Sequence, residues 1–488
     1  MELGAILTAI YIYRQSSHTM DTTFMPTALL VVWKSIGHLN ASIGVAVALR
    51  RLGYRVVFAG PDEIRAKPTN EGFEYLECEA FDGLPIPLGV GHRWEDLLSN
   101  ICTPSILHRM VSQTRRAMRS LKASILERTE AFAGRVAQLS PDLVVFDPFL
   151  LYFYPPIHAL GIPAAALSTK VLGSFAPHVP PYTSYSLPAA NPLDCMRIRF
   201  EWLLKHASYA VWAGYERVVF GITPRSLCEL IARRSAFPLE HEWQSRPIST
   251  DLKFRSVPEW ILFPPRFDLD RSDVESCNAR YVGHCVHLGR KESIEACEQV
   301  QSHPRLVLCI LTSVYRSKSA ASRRRELFIR ELSDSFRGLP DFHLVISAGT
   351  LADESIDVDR LCNVTIRQSV PTLELLKTAK LLICQGGANI VKEAICHSVP
   401  LLVFPDAADQ PGMSARIRFH NLGVAAPMRS ARSAQIRKMV IEATSGVDRK
   451  PDLDRMRGHF IDYEKGDLPL RSAVADLLAS AHKVKGTA

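Results

Sequence analysis

The stretch Leu381 to Gln410, LLICQGGANIVKEAICHSVPLLVFPDAADQ, constrains the fold more than any other part of the chain. An apolar run from Leu381 to Cys384 is followed by Gln385-Gly386-Gly387, a helical pattern from Ala388 to His397, a second apolar run from Pro400 to Phe404, and a polar loop ending at Asp409-Gln410. Strand, helix and strand in that succession imply a parallel sheet, because parallel neighbours need a crossover of this length. Gly386 and Gly387 leave backbone N–H groups uncovered where the helix starts. About half a positive charge gathers at a helix N-terminus, so an anion such as phosphate is stabilised there. Asn389 and Glu393 stand four residues apart on one helical face, an amide near the anion and a carboxylate one turn deeper. A carboxylate accepts two hydrogen bonds and donates none, which suits paired sugar hydroxyls. Asp409 and Gln410 follow the next strand at its carboxyl end, where ligands of open parallel sheets collect. Together these groups read as sites for phosphate, ribose and a second polyol. Gly-Gly between a strand and a helix is by itself only a tight turn; order and spacing carry the reading.

At 488 residues the chain is too long for one ordinary core, and two domains suffice. Its 47% hydrophobic and 22% charged composition is that of a folded protein. A net charge of +8 is mild for this length, and the basic residues are scattered apart from Arg323-Arg324-Arg325. That cluster is expected to be a solvated helix face, and no nucleic-acid partner is expected. Eleven cysteines without CxxC spacing point to free thiols in a reducing, cytoplasmic compartment. Met1 to Tyr13 is apolar but shorter than the roughly twenty residues that span a bilayer, and no basic residue precedes it. Residues 1–26 read as an extension ahead of the first strand, which initiation at Met20 or Met25 would largely remove. No stable membrane span is expected. His284, Cys285 and His287 on one short strand converge poorly on a metal. Asp-x-Asp recurs at Asp268/Asp270, Asp357/Asp359 and Asp452/Asp454 in unrelated contexts, none after a strand of the right kind, so no metal site is expected.

In the amino-terminal half, Ala28 to Trp33 reads as a strand, Lys34 to His38 as a turn, Ser42 to Leu52 as an apolar helix closed by Gly53, and Arg55 to Ala59 as the next strand. His38 then lies at the carboxyl end of the first strand. An imidazole with an ordinary pKa of about 6.5 suits a general base, though a single His at a strand end is also an ordinary structural residue. Leu143 to Phe146 is a further strand with Asp147 at its exit, either an orienting carboxylate or a turn cap before Pro148. In the carboxyl-terminal half, strands are expected at Leu306 to Leu311, His343 to Ser347 and Val364 to Arg367. Helices are expected at Ser322 to Phe336, Pro411 to Leu422 and Ala473 to His482.

The segment around Gly386 closely resembles the donor-binding signature of the UDP-dependent glycosyltransferases of the GT-B fold, the superfamily of natural-product glucosyl- and glucuronosyltransferases. In that family the pattern runs His-Gly/Cys-Gly-x-Asn-Ser, then Glu, Gly-Val-Pro and Asp-Gln. Here it stands as Gln385, Gly386, Gly387, Ala388, Asn389, Ile390, Glu393, Ser398-Val399-Pro400 and Asp409-Gln410, a match over about thirty residues. GHLNASIGVAVALRRLGYRVVFAG resembles the family's opening, whose Gly-His carries the general base, and Asp147 lies where the family keeps its orienting aspartate. The resemblance implies an α/β fold of two Rossmann-like doubly wound domains facing a cleft. Residues 27–288 would form an acceptor-binding domain, residues 289–465 a donor-binding domain, and residues 466–488 a helix returning to the first. It implies an inverting, metal-independent enzyme. His38 and Asp147 would be catalytic, while Ser313, Ser369, Gln385, Gly386, Gly387, Asn389, Glu393, Asp409 and Gln410 would hold the donor. The partners would be a UDP-sugar co-substrate, UDP-glucose first, and a small lipophilic acceptor, with no further cofactor. Segments from about Glu79 to Arg119 and Val171 to Trp243 would line the acceptor pocket without identifying the acceptor. The animal glucuronosyltransferases share the donor segment but end in a membrane anchor.

Four donor positions depart from the family. Gln385 replaces a His that contacts phosphate, Ile390 a Ser, Ser369 a stacking aromatic, and Thr372 a Gln. Gln385 still donates an uncharged N–H, at a net cost of about 1 to 2 kcal/mol against a charged donor. Loss of the aromatic costs on the order of 1 to 3 kcal/mol. The departures keep open a catalytically weakened nucleotide-sugar or metabolite-binding protein. A Rossmann oxidoreductase fails, because no GxGxxG follows any strand.

Overall fold

The computed structural model describes residues 25–81, 104–219, 221, 223–244, 252–271, 274, 277–290, 292, 303–311, 320–352, 361–446 and 448–485. Short, mostly apolar runs form the inner strands, buried on both faces as parallel sheets covered by helices require, while the edge strands at Glu74–Leu76 and Val364–Arg367 are only partly buried. The first sheet consists of β1 (Thr27–Val31), β2 (Arg55–Ala59), β3 (Glu74–Leu76), β4 (Leu143–Phe146), β5 (Ala164–Ser168), β6 (Glu259–Ile261) and β7 (Ala279–Tyr281), in the order β3-β2-β1-β4-β5-β6-β7. The second contains β8 (Leu306–Ile310), β9 (His343–Ser347), β10 (Val364–Arg367), β11 (Leu381–Cys384), β12 (Leu401–Val403) and β13 (Gly423–Ala425), in the order β10-β9-β8-β11-β12-β13. Every ladder between these strands is parallel; Leu29 lies between Val57 and Val144, and Leu382 between Leu308 and Leu401. In each sheet the strand order reverses beside the first strand, between β1 and β4 and between β8 and β11. Those switch points open the crevices in which doubly wound sheets hold ligands. The architecture is GT-B, two Rossmann-like sheets with flanking helices.

The helices that bear on the site are α1 (Ile36–Arg51), α2 (Pro104–Leu139), α3 (Pro192–Val219), α4 (Ala320–Phe336), α5 (Ala388–Cys396), α6 (Gln410–Phe419), α7 (Lys450–Glu464) and α8 (Leu468–Lys485). α1 differs from expectation: it begins at Ile36, so Gly37 and His38 occupy its first turn and not a preceding turn. α8 puts Leu470, Ala473, Val474 and Leu477 into one cluster with Ala28, Leu30 and Leu143 of the first sheet. A second cluster joins Phe263 and Tyr281 to Leu308 and Leu382, so apolar packing runs from one sheet to the other. Across the same junction the Asp268 carboxylate takes the Arg416 guanidinium and the Tyr281 hydroxyl, at 2.8 Å from Arg416 Nε and 2.7 Å from Tyr281 Oη.

The arginine cluster in α4 is also corrected. Arg325 is 3% exposed and Arg324 Nε bonds Asp406 Oδ1 at 3.3 Å; only Arg323 lies on a solvated face. His284 stacks on Phe460 and its Nε2 lies 2.9 Å from Glu464, while His287 Nε2 lies 3.2 Å from Glu71. Among the described residues no helix is long and apolar enough to cross a membrane.

Candidate active site

His38 and Asp147 leave the two strands that flank the first switch point, β1 and β4. The Asp147 N–H donates to the Val31 carbonyl at 2.8 Å, which fixes the carboxylate beside the start of α1. Its Oδ1 caps the following turn by accepting the Phe149 N–H at 3.0 Å, and its Oδ2 lies 2.6 Å from His38 Nδ1. Both readings of Asp147, cap and imidazole partner, therefore hold at once, one on each oxygen. Asp147 is 4% exposed, whereas the His38 side chain keeps 22% of its surface and stacks on Phe149 at 5.1 Å. A carboxylate on Nδ1 favours the tautomer with its proton there and leaves Nε2 as the acceptor.

Burial alone would lower the His38 pKa. The charge and hydrogen bond of Asp147 outweigh it, Asp409 adds to the rise and Lys170 opposes it, so the imidazole is held above its ordinary value of 6.5. The Asp409 carboxylate thus acts on His38 from the second half of the molecule, where it immediately precedes α6.

The opposite wall starts at the end of β11. Gly386 has φ +87°, and a Cβ there would meet Val403 Cγ1 at 3.0 Å and the Gln410 carbonyl at 3.3 Å, so this turn requires glycine. Gly387 is the N-cap of α5 and has no side chain to cap that end, and α5 starts where β11 leaves the switch point between β8 and β11. Asn389 Nδ2 donates to the carbonyl of Gly37, the residue before His38. The start of α5 and the start of α1 therefore meet across the cleft. Lys392, in the buried middle of α5, donates to the His284 carbonyl at 2.9 Å, and burial pushes its ammonium down to about 8.

The other expected donor residues differ in their surroundings. Glu393 is 4% exposed and its Oε1 takes Arg290 Nη1 at 2.5 Å, while Arg290 Nε bonds Glu292 at 2.8 Å. Gln410 is buried and folds its Oε1 back onto the Asp406 and Ala407 N–H groups, at 2.8 and 2.9 Å, closing the loop that carries Asp409. Gln385 is buried at the strand end, and Ser369 is exposed on the loop after β10. Ser313 lies outside the described residues, as do Asp357 and Asp359. Sequence reasoning missed Phe149 beneath His38, Lys170 beside it, and Arg290 on Glu393. The first follows from Asp147 by a spacing of two; the other two come from distant positions and leave no local signal. Among the described residues no group of three or more His, Cys, Asp or Glu side chains has the geometry to hold a metal ion. Of the Asp-x-Asp pairs, Asp268 serves Arg416, Asp452 serves Arg455, and Asp454 serves Lys450.

No protein-family model matches the chain. NDP-glycosyltransferase YjiC of Bacillus subtilis (strain 168) is 31% identical over 134 residues, 25% of this chain and 34% of that protein, so the match spans about a third of that relative's length. Demethyllactenocin mycarosyltransferase of Streptomyces fradiae is 23% identical over 432 residues, 87% of this chain and 80% of that protein. Among solved structures, that of glycosyltransferase VinC in complex with dTDP superposes with a TM-score of 0.57 at 16% identity, covering 94% of this chain and 100% of that one.

Proposed function

As a glycosyltransferase of the GT-B fold, this chain, we propose, moves a sugar from a nucleoside-diphosphate donor to a hydroxyl of a small lipophilic natural product, with inversion and without a metal or other cofactor. UDP-glucose is the first donor to test, and dTDP-sugars the second, given the nucleotide bound to VinC. His38 Nε2 takes the proton of the acceptor hydroxyl. The freed oxygen attacks the anomeric carbon as the bond from that carbon to the phosphate oxygen breaks, and the diphosphate departs with the electron pair. Asp147 steadies the imidazolium that forms. Charge on the leaving diphosphate is met by the N–H groups at the start of α5, with Gln385, Asn389 and Ser313 as further donors. Because Gln410 Oε1 is engaged with its own loop, its Nε2 donates to a sugar hydroxyl while Asp409 accepts from another. Glu393, with Arg290 on Oε1, offers Oε2 to the ribose, and Ser369 lies toward the base.

The observation that carries the reading is the 2.6 Å contact between His38 Nδ1 and Asp147 Oδ2, which supports a base with a fixed tautomer and one open nitrogen. His38→Ala is expected to lower transfer by about 10²- to 10⁴-fold, with calorimetric binding of UDP or dTDP changed less than about threefold. EDTA is expected to leave the rate unchanged. Retained turnover in His38→Ala would refute the base. A second reading, a binding protein that keeps the fold, is favoured by the departures at Gln385, Ile390, Ser369 and Thr372. Nucleotide-sugar binding with no transfer to any of a panel of phenols would support it instead.

A further inference from the structure

α3 is an amphipathic helix seated with its apolar stripe outward. Its inner face is anchored by Ile198 and Trp202, both buried; the Trp202 indole donates to the Val179 carbonyl at 2.9 Å, and Phe175 meets the ring edge-on at 5.5 Å. With that face fixed, Leu193, Met196, Phe200, Leu203, Val211 and Val218 follow one another at helical spacing on the opposite side, each between 51% and 76% exposed. At 1.5 Å per residue the row runs about 38 Å. Scattered exposed leucines are ordinary on a soluble protein; six large apolar residues aligned on one helix face, with only the small Ala207 and Gly214 between the last three, mark a surface that something covers.

Charge distinguishes the occupants. Arg199 and Arg217 lie on one flank of the stripe, both exposed and, among the described residues, with no carboxylate in ion-pair reach. Arg197, on the other flank, is held by Asp194 and Glu201. Every acid of the helix, Asp194, Glu201 and Glu216, lies more than about 100° around the axis from the centre of the stripe. A second copy of the same helix would bring guanidinium against guanidinium with no acid to answer, whereas an anionic lipid surface answers both the apolar row and its cationic edge.

We propose that the outer face of α3 docks this protein on anionic membrane surfaces, the apolar row entering the headgroup boundary and Arg199 and Arg217 meeting lipid phosphates. α3 lies on the half of the molecule that carries His38, and the neighbouring Tyr185 reaches the second half through its hydroxyl, 3.4 Å from the Pro405 carbonyl. A docked molecule would thus receive a lipophilic acceptor from the bilayer. That purpose rests on the transfer reaction proposed above; vesicle binding does not, so the two fail separately.

The test is co-sedimentation of the full chain with vesicles of phosphatidylcholine alone or mixed with phosphatidylglycerol. The wild-type protein is expected to pellet with the mixed vesicles and far less with the neutral ones. Phe200→Ser with Leu203→Ser should lower the partition coefficient at least about tenfold. Arg199→Glu with Arg217→Glu should lower it at least about fivefold per arginine on anionic vesicles only, with loss of salt dependence. All four positions are exposed, and an unchanged melting temperature verifies the fold of each variant. Three outcomes overturn the proposal: no wild-type binding, equal binding by the apolar double variant, or a sedimentation-velocity dimer that the same variant dissolves, which would make a second copy the occupant.

Discussion

At His38 burial and charge act in opposite directions, and charge wins. Because the imidazole is held above 6.5 by Asp147 and Asp409, the base is cationic and inactive at low pH. kcat/KM is therefore expected to rise with pH through a midpoint above 6.5, and Asp147→Asn is expected to move that midpoint down while lowering the rate by about 10²- to 10⁴-fold. A pH–rate profile of both proteins checks each shift. The stability contribution has the complementary sign: the pair stabilises the fold fully below the unfolded value and loses that contribution as pH rises through the raised folded one. The two residues stand 109 positions apart in the chain, and it was the resemblance around each that singled them out, since by local pattern a His after a strand or an Asp before a proline is an ordinary structural residue. Arg290 was not. Its guanidinium meets Glu393 from 103 positions away, and nothing in the local pattern of either residue signals the other.

Among elements, the strands were the easiest to read. β2, β4, β9, β10 and β11 match their expected bounds; except at the half-buried edge strand β10, the reason is that a parallel strand covered on both faces must be a short, mostly apolar run. Helix starts were harder. Ser35 precedes α1 without making a side-chain cap, and Gly37 in the first turn has the look of a loop residue, so the local signals there favoured a turn. Arg325 was misread for a related reason: three successive arginines suggest solvent, but a helix turns by 100° per residue and carries them to different environments. Elements also meet closely at α6. A Cβ on Gly412 would lie 2.1 Å from the Tyr182 carbonyl, which already accepts the Gly412 N–H at 3.0 Å. Gly412→Ala is expected to cost about 3 kcal/mol and to loosen this contact between the halves, seen as a lower calorimetric melting temperature and faster amide exchange at α6.

Across the whole molecule, the buried Arg416–Asp268 pair ties α6 of the second half to the segment after β6 of the first. Removing one partner strands a charge in the interior, so Asp268→Ala is expected to destabilise the protein by about 3 to 5 kcal/mol, measurable by calorimetry. The sequence showed Asp268 only as half of an Asp-x-Asp; its partner lies 148 positions downstream. α8 carries the same long reach into synthesis. The first sheet leaves the ribosome before the second, but its outer layer of Leu470, Ala473, Val474 and Leu477 is translated after both. A nascent chain released before residue 468 is thus expected to expose its first half to protease, although the seven strands described for that half are already made. The first sheet to emerge is the last to be closed.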